Sequence, residues 1–253
     1  MKLEFEKSSS KDVSIMIDTL RASTSIIAAL DKFKEIIPAF TPEEAIELAR
    51  KHDAVLAGER RGKTIEGFDI GNSPTDLRDY KTTKDCLVLT TSNGVRVLEN
   101  IHSKTILIGT LTNAKKVAET AIKLANEEIS LVMAGFEGHF SIEDFIGAGE
   151  ILYWIDKELN LEDDITEIPN INERNEKLDK SLWRKREGLS EYAFSALLAS
   201  RNQDIFMQNL GKSMSARRLT FLGYEEDVKF CLEKNISENV PIYKDGKIRL
   251  FNE

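Results

Sequence analysis

Cysteine, histidine and tryptophan are scarce in this chain: its 253 residues include two cysteines, three histidines and two tryptophans. Cys86 and Cys231 stand far apart without C-x-x-C spacing, which argues against a disulfide scaffold or a thiolate zinc site and leaves both as reduced core residues. His52, His102 and His139 show no ligand-like spacing, so a metal here would be held by oxygen. No apolar run approaches the roughly 20 residues that span a bilayer, and the amino terminus MKLEFEKSSSKDV lacks a signal-peptide core, so a cytoplasmic location is expected. Excess positive charge is also missing: 35 Lys and Arg stand against 43 Asp and Glu, a net charge of -8 at pH 7. That balance argues against nucleic acid or an anionic membrane as partner, while a local basic patch can still hold a small anion. Neither G-x-G-x-x-G after the first strand nor G-x-x-x-x-G-K-[ST] occurs, which disfavours a dinucleotide-dependent dehydrogenase and a P-loop enzyme.

What is present is a regular alternation. Short apolar runs (13–17, 54–57, 87–89, 105–108, 131–134) are followed by amphipathic segments (23–30, 95–98, 114–125, 142–159). Parallel neighbouring strands need a crossover helix, so this rhythm predicts an α/β fold with a largely parallel or mixed sheet. With 41% hydrophobic residues, one domain is expected, or two intimately packed lobes meeting near residues 125–160. Thr41-Pro42-Glu43-Glu44 reads as an N-cap, a first-turn proline and first-turn acids, opening a helix over 43–51. Residues 160–185 are charge-rich with weak periodicity and predict a surface excursion or mobile loop, a helical pattern resumes over 190–201, and Asp245-Gly246 predicts a closing β-hairpin.

In an open parallel sheet ligands bind beyond the carboxyl ends of the strands, and here those ends are small and polar. Asp18-Thr19-Leu20-Arg21-Ala22-Ser23-Thr24 places a carboxylate, an arginine and two hydroxyls where a helix begins. Amides and dipole there favour an anion, the Arg21 guanidinium can grip two phosphate oxygens, and Ser23 or Thr24 can donate; an ordinary N-cap with an Asp–Arg pair is the plain alternative. Thr91-Ser92-Asn93-Gly94 with Arg96 is a second donor-rich strand end, which a well-capped turn would also explain. Glu59-Arg60 and the glycine-rich loop through Asn72-Ser73-Pro74 form the third, and Glu143-Asp144 after Ser141 the fourth. Carboxylates repel phosphate unless a cation intervenes, so Asp18, Glu59 and Asp144 are the expected Mg2+ ligands, with Asp69 a weaker candidate.

Ile17 to Thr24, GER at 58–60 with GFDIGNSP at 67–74, TTSNG at 90–94, FSIEDFIGAG at 140–149 and GYEEDV at 223–228 followed by Val240-Pro241 resemble, in order, the blocks of the 2-phosphosulfolactate phosphatases. The resemblance covers roughly residues 10–250. It implies a three-layer α/β/α fold, a magnesium requirement, and hydrolysis of 2-phosphosulfolactate to sulfolactate and phosphate, a step in coenzyme M synthesis. Two features depart from it: Gly147 stands where a larger residue, often cysteine, is expected, and the segment 160–185 is not family-like. On this reading Asp18, Arg21, Glu59 and Asp144 are catalytic. Arg21, Asn72, Ser73 and Thr91 to Gly94 hold the phosphoryl group, and Arg60 and Arg96 remain for carboxylate and sulfonate. Asp18 either ligates magnesium and orients water or attacks phosphorus itself, and the lack of a D-x-D pair favours the former. Another small anionic phosphomonoester, or ligand binding without turnover, are the alternatives, and a homodimer is compatible with the sequence.

Overall fold

The protein was analysed as a computed structural model, which describes residues 1–159, 188–201 and 209–252. The charge-rich segment 160–185 lies outside them. The strands are β1 (Lys2–Phe5), β2 (Val13–Ile17), β3 (Glu35–Pro38), β4 (Val55–Arg60), β5 (Lys63–Thr64), β6 (Cys86–Thr90), β7 (Thr105–Ile108), β8 (Ile129–Met133), β9 (Pro241–Lys244) and β10 (Lys247–Leu250). They join in one 10-stranded sheet of order β1-β8-β2-β7-β9-β10-β3-β6-β4-β5. The helices are α1 (Ala22–Ala29), α2 (Pro42–His52), α3 (Pro74–Asp79), α4 (Gly94–Leu98), α5 (Ala114–Leu124), α6 (Ile142–Leu159), α7 (Glu191–Arg201), α8 (Met214–Phe221) and α9 (Glu225–Cys231).

The sheet is mixed, and its direction reverses. β1, β8, β2 and β7 pair in parallel, as do β3, β6 and β4. Between these halves stands the carboxyl-terminal hairpin, antiparallel to itself, to β7 and to β3. Three successive antiparallel pairings make β2 and β6 run in opposite senses, so the polar strand ends do not lie along one edge of a flat sheet, as a simple parallel reading expects. The loops after β2 and β6 still meet, at Asp18 and Gly94, and the halves share a core: Met16, Ile106, Ile108 and Val132 of one lie in a buried cluster with Ile36, Leu87 and Leu89 of the other and with Ile248 of the hairpin. Ile26, Ala29 and Leu30 at the end of α1 lie in the same cluster.

Side-chain alternation distributes the layers. Ile15 and Ile17 face the opposite way from Met16 and pack with Val117, Ala118 and Ala121 of α5, Ala148, Ile151, Leu152 and Ile155 of α6, and Ala193, Ala196 and Leu197 of α7. Across the other half, Ala45 and Ala49 of α2 pack on Ile37, Cys86 and Val88. Helices thus cover both faces, giving the expected α/β/α layering.

Local chemistry explains the element ends. Thr41 Oγ1 accepts from Glu44 N at 3.1 Å, so the cap falls where the sequence places it. Asp245 and Gly246 have φ of 52° and 75°, the pair of positive angles that a two-residue type I′ hairpin requires. Both cysteines are free and buried. Among the described residues no helix is long and apolar enough to cross a membrane.

Gly147 on α6 has a packing reason: a Cβ there would stand 2.8 Å from Thr19 Oγ1, which donates to the Glu143 carbonyl oxygen at 3.2 Å. Gly147→Cys is therefore expected to cost about 1–3 kcal/mol through overpacking, read from urea titrations. Unchanged stability would mean that Thr19 yields freely.

Candidate active site

β2 is buried along its whole length, and Asp18 follows directly at its carboxyl end. The turn that follows folds back on that residue. Asp18 N donates to Ser23 Oγ at 3.0 Å, Ser23 N to the Asp18 carbonyl oxygen at 2.9 Å, and Ala22 N to Asp18 Oδ1 at 3.1 Å. Oδ2 faces the start of α4, where a Cβ added to Gly94 would sit 2.5 Å from it. Glycine is thus what lets the loop after β6 close on the carboxylate.

Three further acids surround this point. Asp144, in the first turn of α6, accepts from Thr19 N at 2.8 Å on Oδ1 and from Gly135 N at 2.9 Å on Oδ2, so it ties the ends of β2 and β8 together. Glu143 beside it is also buried. Glu59, near the end of β4, accepts from Ser92 N at 2.6 Å on Oε1 and from Gly62 N at 2.6 Å on Oε2. Burial pushes the Asp18 carboxyl up to about 7; the Ala22 amide works against this, while the charges of Glu59 and Glu143 add to it. Burial also drives Asp144 well above the usual carboxylate range, with the Asp18 and Glu143 charges reinforcing it.

Arg21 is the one cation close to Asp18 in sequence, yet its guanidinium is already held. Nη1 donates to Asp227 Oδ2 at 2.6 Å, Nη2 to the Gly62 carbonyl oxygen at 3.1 Å, and the group lies 4.4 Å from the Tyr224 ring centroid. Asp227 also accepts from Ser73 Oγ at 2.7 Å and Thr75 Oγ1 at 2.8 Å. This buried cluster pins α1, α3 and α9 together behind the site.

The cleft in front of Asp18 is lined by Arg21, Glu59, Asn72, Thr91, Ser92 and Asn93 among the residues singled out from sequence. Asn72 is 4% exposed, and its Oδ1 has no hydrogen-bond partner among the described residues. Ser23 and Thr24 are turned inward: Ser23 Oγ reaches the Met16 carbonyl oxygen and Thr24 Oγ1 that of Thr19. Arg60 donates to the Glu59 carbonyl oxygen and to Thr90 Oγ1, away from the cleft. Ser73 caps α3 and binds Asp227. Arg96 lines an adjacent cavity of about 360 Å³ that shares Asn93 and Glu137 with the cleft. Asp69 Oδ2 accepts from Leu56 N, a structural bond on β4.

Arg61, Ser215 and Arg218 also line the cleft, and none stood out in the sequence. Arg61 offered a signal, as the unused basic residue of the Gly58–Gly62 run. Ser215 and Arg218 sit in α8, whose sequence carries no strand-end motif.

Among the described residues no group of three or more His, Cys, Asp and Glu is arranged to hold a metal by itself. The donor set still fits a hard cation that keeps several waters and binds through one or two carboxylates plus substrate phosphate. Asp18 Oδ2 takes no hydrogen bond from the described residues, and burial, reinforced by like charges, drives Asp18 and Asp144 up together, while the nearby Arg21 cation is already paired with Asp227. Glu59 and Asp144 each keep lone pairs beyond the amides they accept.

The sequence model described as 2-phosphosulpholactate phosphatase matches residues 2–246. The chain is 41% identical over 253 residues to a 2-phosphosulfolactate phosphatase of Methanothermobacter thermautotrophicus, covering 100% of this chain and 96% of that protein. It is 35% identical over 244 residues to a protein of Clostridium tetani named "Probable 2-phosphosulfolactate phosphatase", covering 94% and 93%. A protein of the same name from Clostridium beijerinckii is 32% identical over 241 residues, covering 93% and 90%.

Two outcomes follow from the electrostatics. With chelator present, stability is expected to fall as pH rises from about 4 to about 7: folded Asp18 keeps its proton up to about 7 while the unfolded residue releases it near 3.8, so the native chain binds more protons in that window. Asp18→Asn should flatten the fall, and parallel urea midpoints for both proteins at pH 5 and 8 would contradict this. Asp227→Asn leaves the Arg21 cation buried without its counter-charge and is expected to cost about 3–5 kcal/mol in thermal unfolding. A loss below about 1 kcal/mol would show that the pair contributes little.

Proposed function

The chain belongs to the 2-phosphosulpholactate phosphatase family, and from that premise we propose that it hydrolyses 2-phosphosulfolactate to sulfolactate and phosphate in a magnesium-dependent reaction. The observation that carries the proposal is the buried Asp18, one carboxylate oxygen of which takes no hydrogen bond from the described residues, lining a cleft together with the polar side chains of Asn72, Thr91, Ser92 and Asn93. An anion receptor has no use for a repelling carboxylate at that place, whereas phosphoryl transfer does, because charge on the transferring oxygens and the position of the attacking water must both be controlled.

Asp18, with Glu59 and Asp144 in support, would hold Mg2+, which when bound neutralises charge on the phosphoryl oxygens. The chain's own contribution is positional and electrostatic. The Asn72 carboxamide is buried, lacks an internal partner on Oδ1 and lines the cleft, so it is available to a ligand. Thr91 Oγ1 accepts from Val95 N at 3.1 Å, which leaves its hydrogen to donate to a phosphoryl oxygen. Asn93, two residues further along the same turn, also lines the cleft and can add a donor. Asp18 accepts a hydrogen bond from the attacking water. The water's oxygen bonds to phosphorus as the ester P–O bond breaks, and a proton from that water neutralises the departing alkoxide, giving sulfolactate and phosphate.

The test is phosphate release from 2-phosphosulfolactate and from phosphoglycerates, with and without magnesium. Wild type is expected to prefer the former and to stop in chelator, with recovery on adding Mg2+. Asp18→Asn is expected to lower kcat on the order of 10²–10⁴-fold, the range for one positioned catalytic group. Activity indifferent to both chelator and this substitution would overturn the reading.

A further inference from the structure

The cleft is polarised in a way that one phosphoryl group does not account for. Acids lie on its floor, and two arginines, Arg61 and Arg218, stand at its rim. Arg61 occupies the tip of the β4–β5 turn with φ of 54°, and its side chain has no acid partner among the described residues. Arg218 is fixed above it: Nη2 donates to the Arg61 carbonyl oxygen at 2.9 Å, and the guanidinium lies 5.3 Å from the Phe136 ring centroid. Its only acidic neighbour among the described residues is Glu137, 3.6 Å away and 61% exposed, a pairing weakened by solvent. One turn earlier on the same helix face, Ser215 is 6% exposed and lines the cleft, and its hydroxyl makes no hydrogen bond with the described residues.

The geometry points to Ser215, Arg218 and Arg61 as the site for the substrate's second anion, the sulfonate, with Arg218 the specificity-determining residue. This rests on the phosphatase reading above and deepens it. In a 2-phospho-3-sulfolactate skeleton the sulfonate is one carbon further from the ester oxygen than the carboxylate. With the phosphoryl group on the floor by Asp18, the sulfonate is the group that extends toward the rim. A fixed guanidinium fork and a buried hydroxyl suit its oxygens. Arg60, by contrast, is directed to the Glu59 carbonyl oxygen and Thr90 Oγ1 and does not line the cleft, and Arg96 opens into the neighbouring cavity with Glu6 and Glu137.

The experiment compares 2-phosphosulfolactate with 2-phospholactate, which has a methyl group in place of the sulfonate arm, for wild type, Arg218→Gln and Arg218→Lys. The preference ratio in kcat/KM is expected to fall roughly ten- to hundredfold in Arg218→Gln, the loss typical of one charged hydrogen-bonding group, and less in Arg218→Lys. Equal losses on both esters, as misfolding would give, or an unchanged ratio overturn the assignment. Calorimetric binding of sulfolactate against lactate reads the same site without turnover. Wild type is expected to favour sulfolactate and Arg218→Gln to lose that preference, and equal binding by wild type overturns the proposal. Arg218-dependent sulfolactate binding without hydrolysis of any ester sinks the phosphatase reading alone, and turnover with an unchanged ratio sinks this inference alone.

Discussion

The constraint on which this structure depends is the repulsion among carboxylates buried at one point. Asp18, Glu143 and Asp144 lie within one another's field and out of water, an arrangement that is costly unless the charges are met by dipoles, protons or a cation. The protein meets them partly with its own backbone: amides of Thr19, Ala22 and Gly135 serve Asp18 and Asp144, and amides of Ser92 and Gly62 serve Glu59. Those bonds are also what bring four separate loops together. The site and the tertiary structure around it are therefore the same set of interactions, and the unmet part of the charge is what the proposed divalent ion would offset.

That focus requires an unusual sheet. A parallel α/β sheet gathers its strand ends along one edge, but here the halves run in opposite senses and the chain's last two strands stand between them. The inserted hairpin separates β2 from β6 in the sheet, and the two halves are joined by packing rather than by pairing, with Met16 and Leu89 in one apolar cluster. Small residues then set how closely the layers approach. Gly94 lets the loop after β6 reach Asp18, and Gly147 lets α6 reach Thr19. The larger residue expected at 147 would occupy space that Thr19 uses to bind the Glu143 carbonyl oxygen.

Much of this was legible beforehand because it is local. Apolar runs bounded by small polar residues gave the core strands β2, β4, β6, β7 and β8, the Thr41 cap gave α2, and Asp245-Gly246 gave the hairpin. The short strands β1 and β3 carry too little pattern to stand out: KLEF holds two apolar residues and EIIP three. The strand-end motifs likewise pointed to Asp18, Glu59, Thr91, Ser92 and Asn93, all of which line one cleft. Spacing did not reveal which side chains turn away. Ser23 and Thr24 look like phosphate donors in the string of letters, yet their hydroxyls satisfy carbonyl oxygens of the β2 end.

The sequence by itself determined the alternation of strand and helix, the oxygen-rich chemistry of the site and the loops that carry it, because periodicity, capping and glycine placement act over a few residues. Only the tertiary structure decided the partners of the charges. Arg21 is taken by Asp227 from 206 residues away, and Arg218 is brought to Arg61 across 157 residues. Electrostatic pairing depends on distance through space and on local exclusion of water, quantities that arise only once the chain has closed on itself.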